Sequence, residues 1–418
     1  MTSTSLGEQL RRLREQHGLT QQEFVDKLAA QAWTDLNERV GVDRQMVSKW
    51  ERDVKAPDRR YRRLICTLYG ITEQHLSMSH PTVVPVVQHA STGSVDALFE
   101  SPLDIVERMQ RLTSSNADDQ TTAQFDDAID SIVELYEQQG PEPLVNHVVR
   151  QRQHVQRVLD GSQRPHHREK LYLIAGKLSG LLGYMAVNLG KFGAASAYSK
   201  EAFQLGEFAG STDLQAWARG TQSFCAYYVG DYRTAVDLAR DGQRYAKNGP
   251  QAIRLASNGE ARALGKLGDV RGVDEAVQRA YRLAEQFETP AGVSSCISFG
   301  LYSNARTASN AATAYVDLGL PDRVREFADQ VMPVFEASES RWSQSLVRLD
   351  IAKALILADE PEPEQAAGLV VEALTLSAER PILSVLKRSR ECLDAGSRWS
   401  GTAAFTEAAE TLRAVQRR

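Results

Sequence analysis

Apolar residues recur at helical spacing along the first 78 residues and predict a series of short amphipathic helices. The first helix ends near Gly18, and the second begins at Thr20, which forms a capping-box pattern with Glu23 three residues later. The apolar positions of these two helices are Leu6, Leu10, Leu13, Phe24 and Leu28. The pattern therefore predicts two helices in close succession.

A third helix is predicted to begin after Asp43, because Asp is a residue type that caps helix N-termini. Met46, Val47 and Trp50 share its apolar face. The opposite face carries Arg44, Gln45, Ser48, Lys49 and Arg52. Such a face has the donors needed to read base edges in the major groove, since Arg or Lys can reach guanine and Gln can pair with adenine.

Two further short helices complete the predicted N-terminal unit. Pro57 ends the preceding segment, and Asp58 opens a fourth helix that closes at Gly70. Thr72 can cap a fifth helix with the sequence EQHLSM. The apolar positions of the fourth helix are Tyr61, Leu64, Ile65 and Leu68. Residues 1–78 are therefore expected to form a five-helix domain.

Three segments of this domain resemble the phage-repressor-like helix-turn-helix of the Xre family, a class of DNA-binding regulators: LTQQEFVDKLA, GVDRQMVSKWER and a helix ending in LYGITEQHL. The resemblance implies that Gln21 hydrogen-bonds a phosphate of double-stranded DNA. The side chains that it places at base edges are Arg44, Gln45, Ser48 and Lys49, and those that it places nearer the DNA backbone are Arg52 and Lys55.

The chain departs from this family in the segment between the second and third helices. The family joins these helices by a short turn, whereas here the segment from Ala29 to Gly41 intervenes. We expect the second helix to run on through this insertion, or a wing containing Trp33 to pack beside it. Trp33 is expected in the core, since Trp is usually highly buried.

Beyond residue 78 the sequence predicts a linker and then a long helical array. The helical period disappears between Ser79 and Glu100, where proline, Ser, Thr and Gly accumulate. Four copies of one pattern then align on Gly190, Gly230, Gly268 and Gly319 at separations of 40, 38 and 51 residues. Five residues after each glycine stands a small residue: Ala195, Ala235, Val273 and Val324. Glycine lets the chain reverse between two helices, and small residues let paired helices approach closely.

This pattern resembles tetratricopeptide-like repeats. A single helix pair cannot bury its apolar face, so the pairs must stack, and we expect about six pairs between residues 101 and 418 in an α-solenoid. The predicted fold class is therefore all-α, with a helix-turn-helix domain, a linker at 79–100 and a repeat domain at 101–418. The whole chain resembles repeat-containing regulators of actinobacteria.

First helices of such pairs generally line a concave surface, so ligand-binding side chains are expected there. Aromatic rings can cover apolar parts of a ligand, while Arg and Asn can fix a peptide backbone or a carboxylate. The ligand candidates are Trp217, Arg219, Tyr228, Arg262, Asn304 and Arg348, within a wider set that also contains Tyr184, Phe224, Asn258, Tyr302, Arg306 and Trp342. Packing between helices is the competing interpretation of each aromatic residue.

The charge distribution favours nucleic acid as a partner of the N-terminal domain only. The chain has a net charge of −5, yet residues 1–78 have a net charge of +2 and the remainder −7. Between Arg44 and Arg63 eight basic residues stand against three acidic ones. Such a run is either a phosphate footprint or a solvated helix face.

Catalytic and metal chemistry find little support in the sequence. The four cysteines are far apart, and His166 and His167 have no third ligand nearby in sequence, so we expect no metal and no cofactor. GKLSG at Gly176 lacks the preceding glycine of a phosphate-binding loop, and the sequence contains no HExxH or GxSxG motif. Because these motifs are missing, we expect a protein that is not an enzyme. No run is long and apolar enough to cross a bilayer, so we expect a cytoplasmic protein.

These patterns together predict a sequence-specific transcriptional regulator. The helical repeats would form a homodimer and sense a small molecule or a peptide. The alternative keeps DNA binding but makes the repeats a scaffold that recruits a protein partner. Tetratricopeptide-like surfaces serve both uses, and the sequence does not separate them.

Overall fold

The computed structural model describes residues 5–36, 40–69 and 102–417, and all regular secondary structure in these ranges is helical. The chain divides into two compact units, Met1–Glu100 and Ser101–Arg418. The predicted fifth helix after Thr72 and the predicted linker at 79–100 lie outside the described residues.

The described part of unit 1 contains four helices: α1 (Leu6–Gln16), α2 (Gln21–Leu36), α3 (Arg44–Glu51) and α4 (Arg59–Tyr69). Helix α2 runs on through Leu36, so the insertion that begins at Ala29 lengthens this helix over its first eight residues. The side chain of Trp33 lies outside the described residues.

Polar side chains begin the helices of unit 1 where the sequence predicted. The capping box of α2 is confirmed, since the backbone NH of Thr20 donates to Glu23 (2.7 Å) and the NH of Glu23 donates to the Thr20 hydroxyl (3.2 Å). Asp43 caps α3 by accepting from the NH of Met46 at 2.7 Å. Asp58 accepts from the NH of Tyr61 at 3.0 Å at the start of α4. Each cap satisfies a backbone NH that the first helical turn leaves unpaired.

The helices of unit 1 enclose one apolar core. Helix α3 contacts α1 and α2, and α2 contacts α4. The buried apolar side chains are Leu10, Phe24, Val25, Leu28, Ala32, Val42, Val47, Trp50, Leu64, Ile65 and Cys66. The amphipathic stripes predicted for the first four helices therefore face a common interior.

Unit 2 begins with α5 (Pro102–Thr113) and continues as helix pairs. A short turn joins the two helices of each pair. The helices are α6 (Asp119–Gln139), α7 (Pro141–Leu159), α8 (Pro165–Asn188), α9 (Phe192–Phe208), α10 (Thr212–Val229), α11 (Tyr232–Ala246), α12 (Pro250–Arg254), α13 (Arg262–Lys266), α14 (Val270–Ala284), α15 (Asn304–Asp317), α16 (Pro321–Glu336), α17 (Arg341–Leu357), α18 (Pro363–Leu376), α19 (Leu383–Ala395) and α20 (Ala403–Gln416). A π-helix, Leu255–Ala261, joins α12 to α13. A short 3₁₀ turn, Ser397–Trp399, lies between α19 and α20.

The turns within the pairs fall on the glycines aligned in the sequence. Gly190, Gly230, Gly268 and Gly319 have φ angles of 69°, 97°, 76° and 69°, in the left-handed region that glycine adopts most easily. The small residues five positions later, Ala195, Ala235, Val273 and Val324, are completely buried. The aligned glycines thus mark the points where the chain reverses direction, and the small residues mark the close contacts between paired helices.

Seven helix pairs occupy the described part of unit 2, against the six that we expected. They are α6/α7, α8/α9, α10/α11, α12–α13/α14, α15/α16, α17/α18 and α19/α20. The first helix of each pair contacts the first helix of the next pair, so the first helices form a continuous inner layer. The first helices stack in this way because each pair can bury its second apolar face only against a neighbouring pair.

The inner layer also closes on itself. Helix α17 contacts α6, and α19 contacts α8, although far separated along the chain. At this closure Gly140 has a φ of 74°, and a Cβ atom added there would lie 2.7 Å from the ring of Trp342. Arg380 donates to the backbone carbonyl of Gln139 at 2.9 Å. The first helices therefore curve around a central space.

Candidate nucleic-acid interface and candidate ligand cavity

The exposed face of α3 carries the side chains that the sequence proposed for base contacts. Arg44, Gln45 and Lys49 are exposed, and Ser48 is half-buried beside them. On the opposite face Val47 and Trp50 are buried in the core of unit 1. The predicted division of α3 into an apolar and a polar face is therefore confirmed.

The C-terminal end of α3 is fixed by its contacts with α1. Asp53, which follows α3, has a left-handed φ of 58°. Its carboxylate accepts hydrogen bonds from the Ser5 hydroxyl and from the NH of Gly7, the latter at 2.8 Å. The chain turns away from the helix axis at this point, and Arg52 and Lys55 are both exposed beside the turn.

A buried ion pair joins α3 to the turn between α1 and α2. Arg14 lies 2.5 Å from Glu51, and the two side chains are only 11% and 5% exposed. Arg14 also donates to the carbonyl of Leu19 at 2.6 Å. The amide of Gln21 donates to the other oxygen of Glu51 at 2.8 Å. This network sets the start of α2 against the end of α3, and the proposed phosphate contact of Gln21 stays a prediction.

Further basic side chains continue the exposed surface beyond α3. Arg59, Arg60 and Arg63 are exposed on α4, and Arg62 is half-buried and donates to the carbonyl of Pro57 at 2.8 Å. Seven of the eight basic residues between Arg44 and Arg63 are therefore exposed. Exposed guanidinium and ammonium groups are the groups that neutralise phosphates.

Unit 2 contains an internal cavity with a volume of about 70 Å³. By this measure about 10–15 Å³ is enough to hold one water molecule, so the cavity has room for several. Its walls come from the first helices of all seven pairs, together with the segment that precedes α15. The closed inner layer thus brings together residues from Tyr136 to Arg388.

Two of the six predicted ligand residues, Tyr228 and Arg262, line this cavity. So do all six further members of the wider set: Tyr184, Phe224, Asn258, Tyr302, Arg306 and Trp342. The rings are in contact with one another, with Tyr184 stacked on Phe224 at 4.8 Å and Phe224 edge-on to Tyr228 at 4.9 Å. The aromatic residues therefore form a packed wall with polar groups between them.

The other four predicted ligand residues lie away from the cavity. Trp217 is buried and donates to the carbonyl of Ser298 at 3.0 Å. Arg219 is 2.7 Å from the carboxylate of Asp241. Asn304 is exposed at the start of α15, in a separate surface groove. Arg348 pairs with two acidic residues, Glu336 at 3.0 Å and Glu372 at 3.2 Å.

Several cavity residues were missed in the sequence because their partners are far away along the chain. Glu137 on α6 lies 2.7 Å from Arg306 on α15. Glu137 also accepts from the NH of Cys296 at 2.8 Å and from the hydroxyl of Ser340. Burial by itself raises the pKa of Glu137, but Arg306 and these hydrogen bonds outweigh it, so the pKa is lowered. The Glu137–Arg306 pair is therefore ionised.

A second missed pair lies at the other side of the cavity. Arg388 on α19 is 2.9 Å from Asp350 on α17. The hydroxyl of Thr313 donates to the same carboxylate at 2.7 Å. Burial raises the pKa of Asp350, and Arg388 and Thr313 offset this only in part.

Arg262 differs from these two arginines because no carboxylate of the described residues lies within 4.0 Å of it. One of its terminal nitrogens donates to the hydroxyl of Tyr228 at 3.2 Å, and the guanidinium lies over the ring of Tyr227 at 4.4 Å. Its Nε is buried and has no hydrogen-bond partner among the described residues. Burial raises the pKa of Tyr228, but the positive charges of Arg262 and Arg388 lower it by more.

Arg262 lies beside a π-helical segment of the cavity wall. It follows directly after the π-helix, which also contains Asn258. A π-helix has a wider turn than an α-helix, and π segments occur frequently at functional sites. Asn258 and Arg262 are four positions apart and both line the cavity.

The structure supplies a third neighbour for the histidine pair. Ligand atoms of Asp119, His166 and His167 lie within 4.8 Å of one another. The carboxylate of Asp119 is, however, already 3.1 Å from the ammonium group of Lys170 and 3.4 Å from the ring of His167. We assign no metal to this cluster, since the carboxylate already pairs with the ammonium group of Lys170.

No protein-family model matches the chain, and a search of curated proteins finds no match. Among the described helices none combines the length and the apolar character that crossing a membrane requires.

Proposed function

We propose that the chain is a sequence-specific DNA-binding regulator, with a helix-turn-helix of the Xre type in unit 1 and an α-solenoid of tetratricopeptide-like pairs in unit 2. The observation that carries the proposal is the face of α3. Arg44, Gln45 and Lys49 are exposed together on a helix whose other face is anchored by Val47 and Trp50. The major groove is about 12 Å wide and admits an α-helix, whose diameter with side chains is about 10–12 Å.

The surrounding residues support the same function. Arg52, Lys55 and the exposed arginines of α4 lie next to this face in sequence, where phosphate contacts would hold the helix in register. The Arg14–Glu51 pair and the Asp53 contacts fix the end of α3, so its polar face is held without a ligand. A rigid helix loses little conformational freedom when it binds.

Unit 2 is proposed to sense an effector in its central cavity. The first helices of all seven pairs support this proposal, because they contribute rings and buried polar groups to the wall of one cavity. Sites of this composition bind small molecules or peptide groups. We further propose that the regulator is a homodimer, so that its operator contains two half-sites 10–10.5 base pairs apart or a multiple of that spacing.

Selection of genomic fragments by the purified full-length protein tests this function. The wild type should enrich a two-part site. A variant with Arg44→Ala, Gln45→Ala and Lys49→Ala should lose that enrichment, because each good base contact contributes about 1–3 kcal/mol of discrimination.

The matched control removes Arg11, Arg12 and Lys27, which are exposed on α1 and α2. This control loses one more positive charge than the test variant and should still enrich the same site. If neither the wild type nor the control prefers any sequence, DNA recognition by α3 is refuted. Capture of a protein by unit 2 without DNA enrichment would then favour the scaffold function.

A further inference from the structure

Among the described residues around the cavity of unit 2, the ion pairs leave some cations without a carboxylate. Six cationic side chains lie in the cavity wall or in the layer next to it: Arg254, Arg262, Lys266, Arg306, Lys353 and Arg388. Only four carboxylates pair with them: Glu137, Asp317, Asp350 and Glu391. These ten side chains therefore carry two more positive than negative charges.

The excess can be assigned to particular residues. Arg306 pairs with Glu137 and Arg388 with Asp350. Lys266 and Lys353 share the remaining two carboxylates at 2.9–3.5 Å. Arg254 and Arg262 have no carboxylate of the described residues within 4.0 Å.

Of these two arginines only Arg262 lines the cavity. Arg254 is packed against the ring of Trp217 at 4.7 Å and contacts Tyr184 at 5.6 Å. Arg262 is 3% exposed, and its Nε has no partner among the described residues. A guanidinium stays charged at any ordinary pH, and an unpaired buried charge costs several kcal/mol.

A second hydrogen-bond donor in the cavity wall has no acceptor among the described residues. The hydroxyl oxygen of Tyr302 accepts from the side-chain amides of Asn310 at 2.9 Å and Asn258 at 3.4 Å. A hydroxyl that accepts twice still carries one proton to donate. Tyr302 lines the same cavity as Arg262. The cavity therefore combines an uncompensated positive charge with a second hydrogen-bond donor.

We propose that this cavity binds an anionic group, a carboxylate or a phosphate, with Arg262 as its counter-ion and Tyr302 as a further donor. The proposal deepens the sensing function proposed for unit 2, since it names the chemical class of the effector. It does not depend on DNA binding. The volume of about 70 Å³ suits one such group. Trp342 lines both the cavity and one larger surface groove, and Glu137 lines both the cavity and another.

Thermal unfolding of the full-length protein tests this proposal with sodium phosphate and sodium acetate as probes, each compared with sodium chloride at equal ionic strength. A bound anion raises the unfolding temperature in a saturable manner because it binds only the folded state. We expect such a rise for the wild type with at least one probe. The probe that acts distinguishes a phosphate site from a carboxylate site.

Arg262→Gln should abolish this rise while the protein still folds, because Gln keeps a donor for Tyr228 and removes an unpaired charge. The control Arg271→Gln makes the same charge change at a side chain that is 89% exposed on α14 and should respond like the wild type. Tyr302→Phe should weaken the response, which provides a second variant if Arg262→Gln is unstable. An equal rise in wild type and Arg262→Gln, or no rise over sodium chloride in the wild type, overturns the proposal.

Binding to the cavity can also be followed through Trp342, which lines it. Addition of the active probe should change the fluorescence of the wild type, and Trp342→Phe should remove that change. Enrichment of DNA fragments is measured separately, so a failure of the anion site leaves the test of DNA recognition unaffected.

Discussion

The cations proposed for DNA contact in unit 1 and the cations that line the cavity of unit 2 lie in opposite environments. In unit 1, Arg44, Lys49 and Lys55 are exposed to solvent. In unit 2, Arg306 is buried and Arg388 is half-buried, and each is held by a carboxylate from another helix pair. Exposed cations are available to an external polyanion, whereas buried cations are part of the structure that encloses the cavity.

This contrast predicts different effects of mutation in the two units. Removing an exposed cation of unit 1 should change binding with little change in stability, since surface substitutions usually lie within about 0.5 kcal/mol. Removing a buried carboxylate of unit 2 should change stability first, because it leaves its arginine unpaired. Arg254 and Arg262 are the exceptions within unit 2, because both are buried without a carboxylate of the described residues beside them.

The largest expected effect is that of Glu137→Ala. Loss of this carboxylate leaves Arg306 without its ion pair and the NH of Cys296 without an acceptor. We expect the free energy of unfolding to fall by about 3 kcal/mol. Urea unfolding of the full-length protein, followed by circular dichroism, measures this change.

The matched control is Glu134→Ala, because Glu134 is exposed on the same helix α6. It should cost less than about 0.5 kcal/mol. The pH dependence gives a second check. The pKa of Glu137 is lowered from 4.5 in the folded state, so its contribution is complete above pH 4.5 and is lost as the pH falls through the lower folded value. If Glu137→Ala is as stable as Glu134→Ala and the wild type, the stabilising role of the Glu137–Arg306 pair is contradicted.

A smaller effect is expected for Asp43→Ala, which removes the cap of α3. The NH of Met46 loses its acceptor, and the free energy of unfolding of unit 1 should fall by about 1 kcal/mol. Asp58→Ala is the control, since Asp58 caps α4 in the same manner. Both variants lose one negative charge and one cap.

Only Asp43→Ala should also weaken the preference for the selected DNA site, because the first turn of α3 carries Arg44 and Gln45. Binding to the selected and to unrelated duplexes measures that preference. If Asp58→Ala lowers it by the same factor, the loss follows from stability and the particular role of α3 is not supported.

Local signals predicted much of the fold. Thr20 and Asp43 act through bonds to residues three positions away, and the glycine at each repeat turn needs only its own backbone conformation. Such features depend on neighbours in sequence. The amphipathic stripe of α3 likewise follows from helical spacing alone, so its exposed face could be predicted.

The cavity could be predicted only in part, because its pairs join residues far apart in sequence. Glu137 and Arg306 are 169 positions apart and meet only because the inner layer closes. Arg219 and Arg348 stand in the predicted first helices, but each pairs with carboxylates elsewhere. Helical spacing assigns a residue to a helix face, and the partners of that face depend on how the pairs curve.

The central claim is that the exposed face of α3 reads base pairs while the neighbouring basic residues hold phosphates. Fluorescence anisotropy of the selected duplex and its single-base variants, titrated with salt, tests it through Lys49→Ala and Lys55→Ala. We predict that Lys49→Ala reduces discrimination at one base pair by roughly 10- to 100-fold. Lys55→Ala should weaken binding to all sequences alike and lower the slope of log affinity against log salt by about one. If Lys49→Ala discriminates among the duplexes as the wild type does, the claim is contradicted.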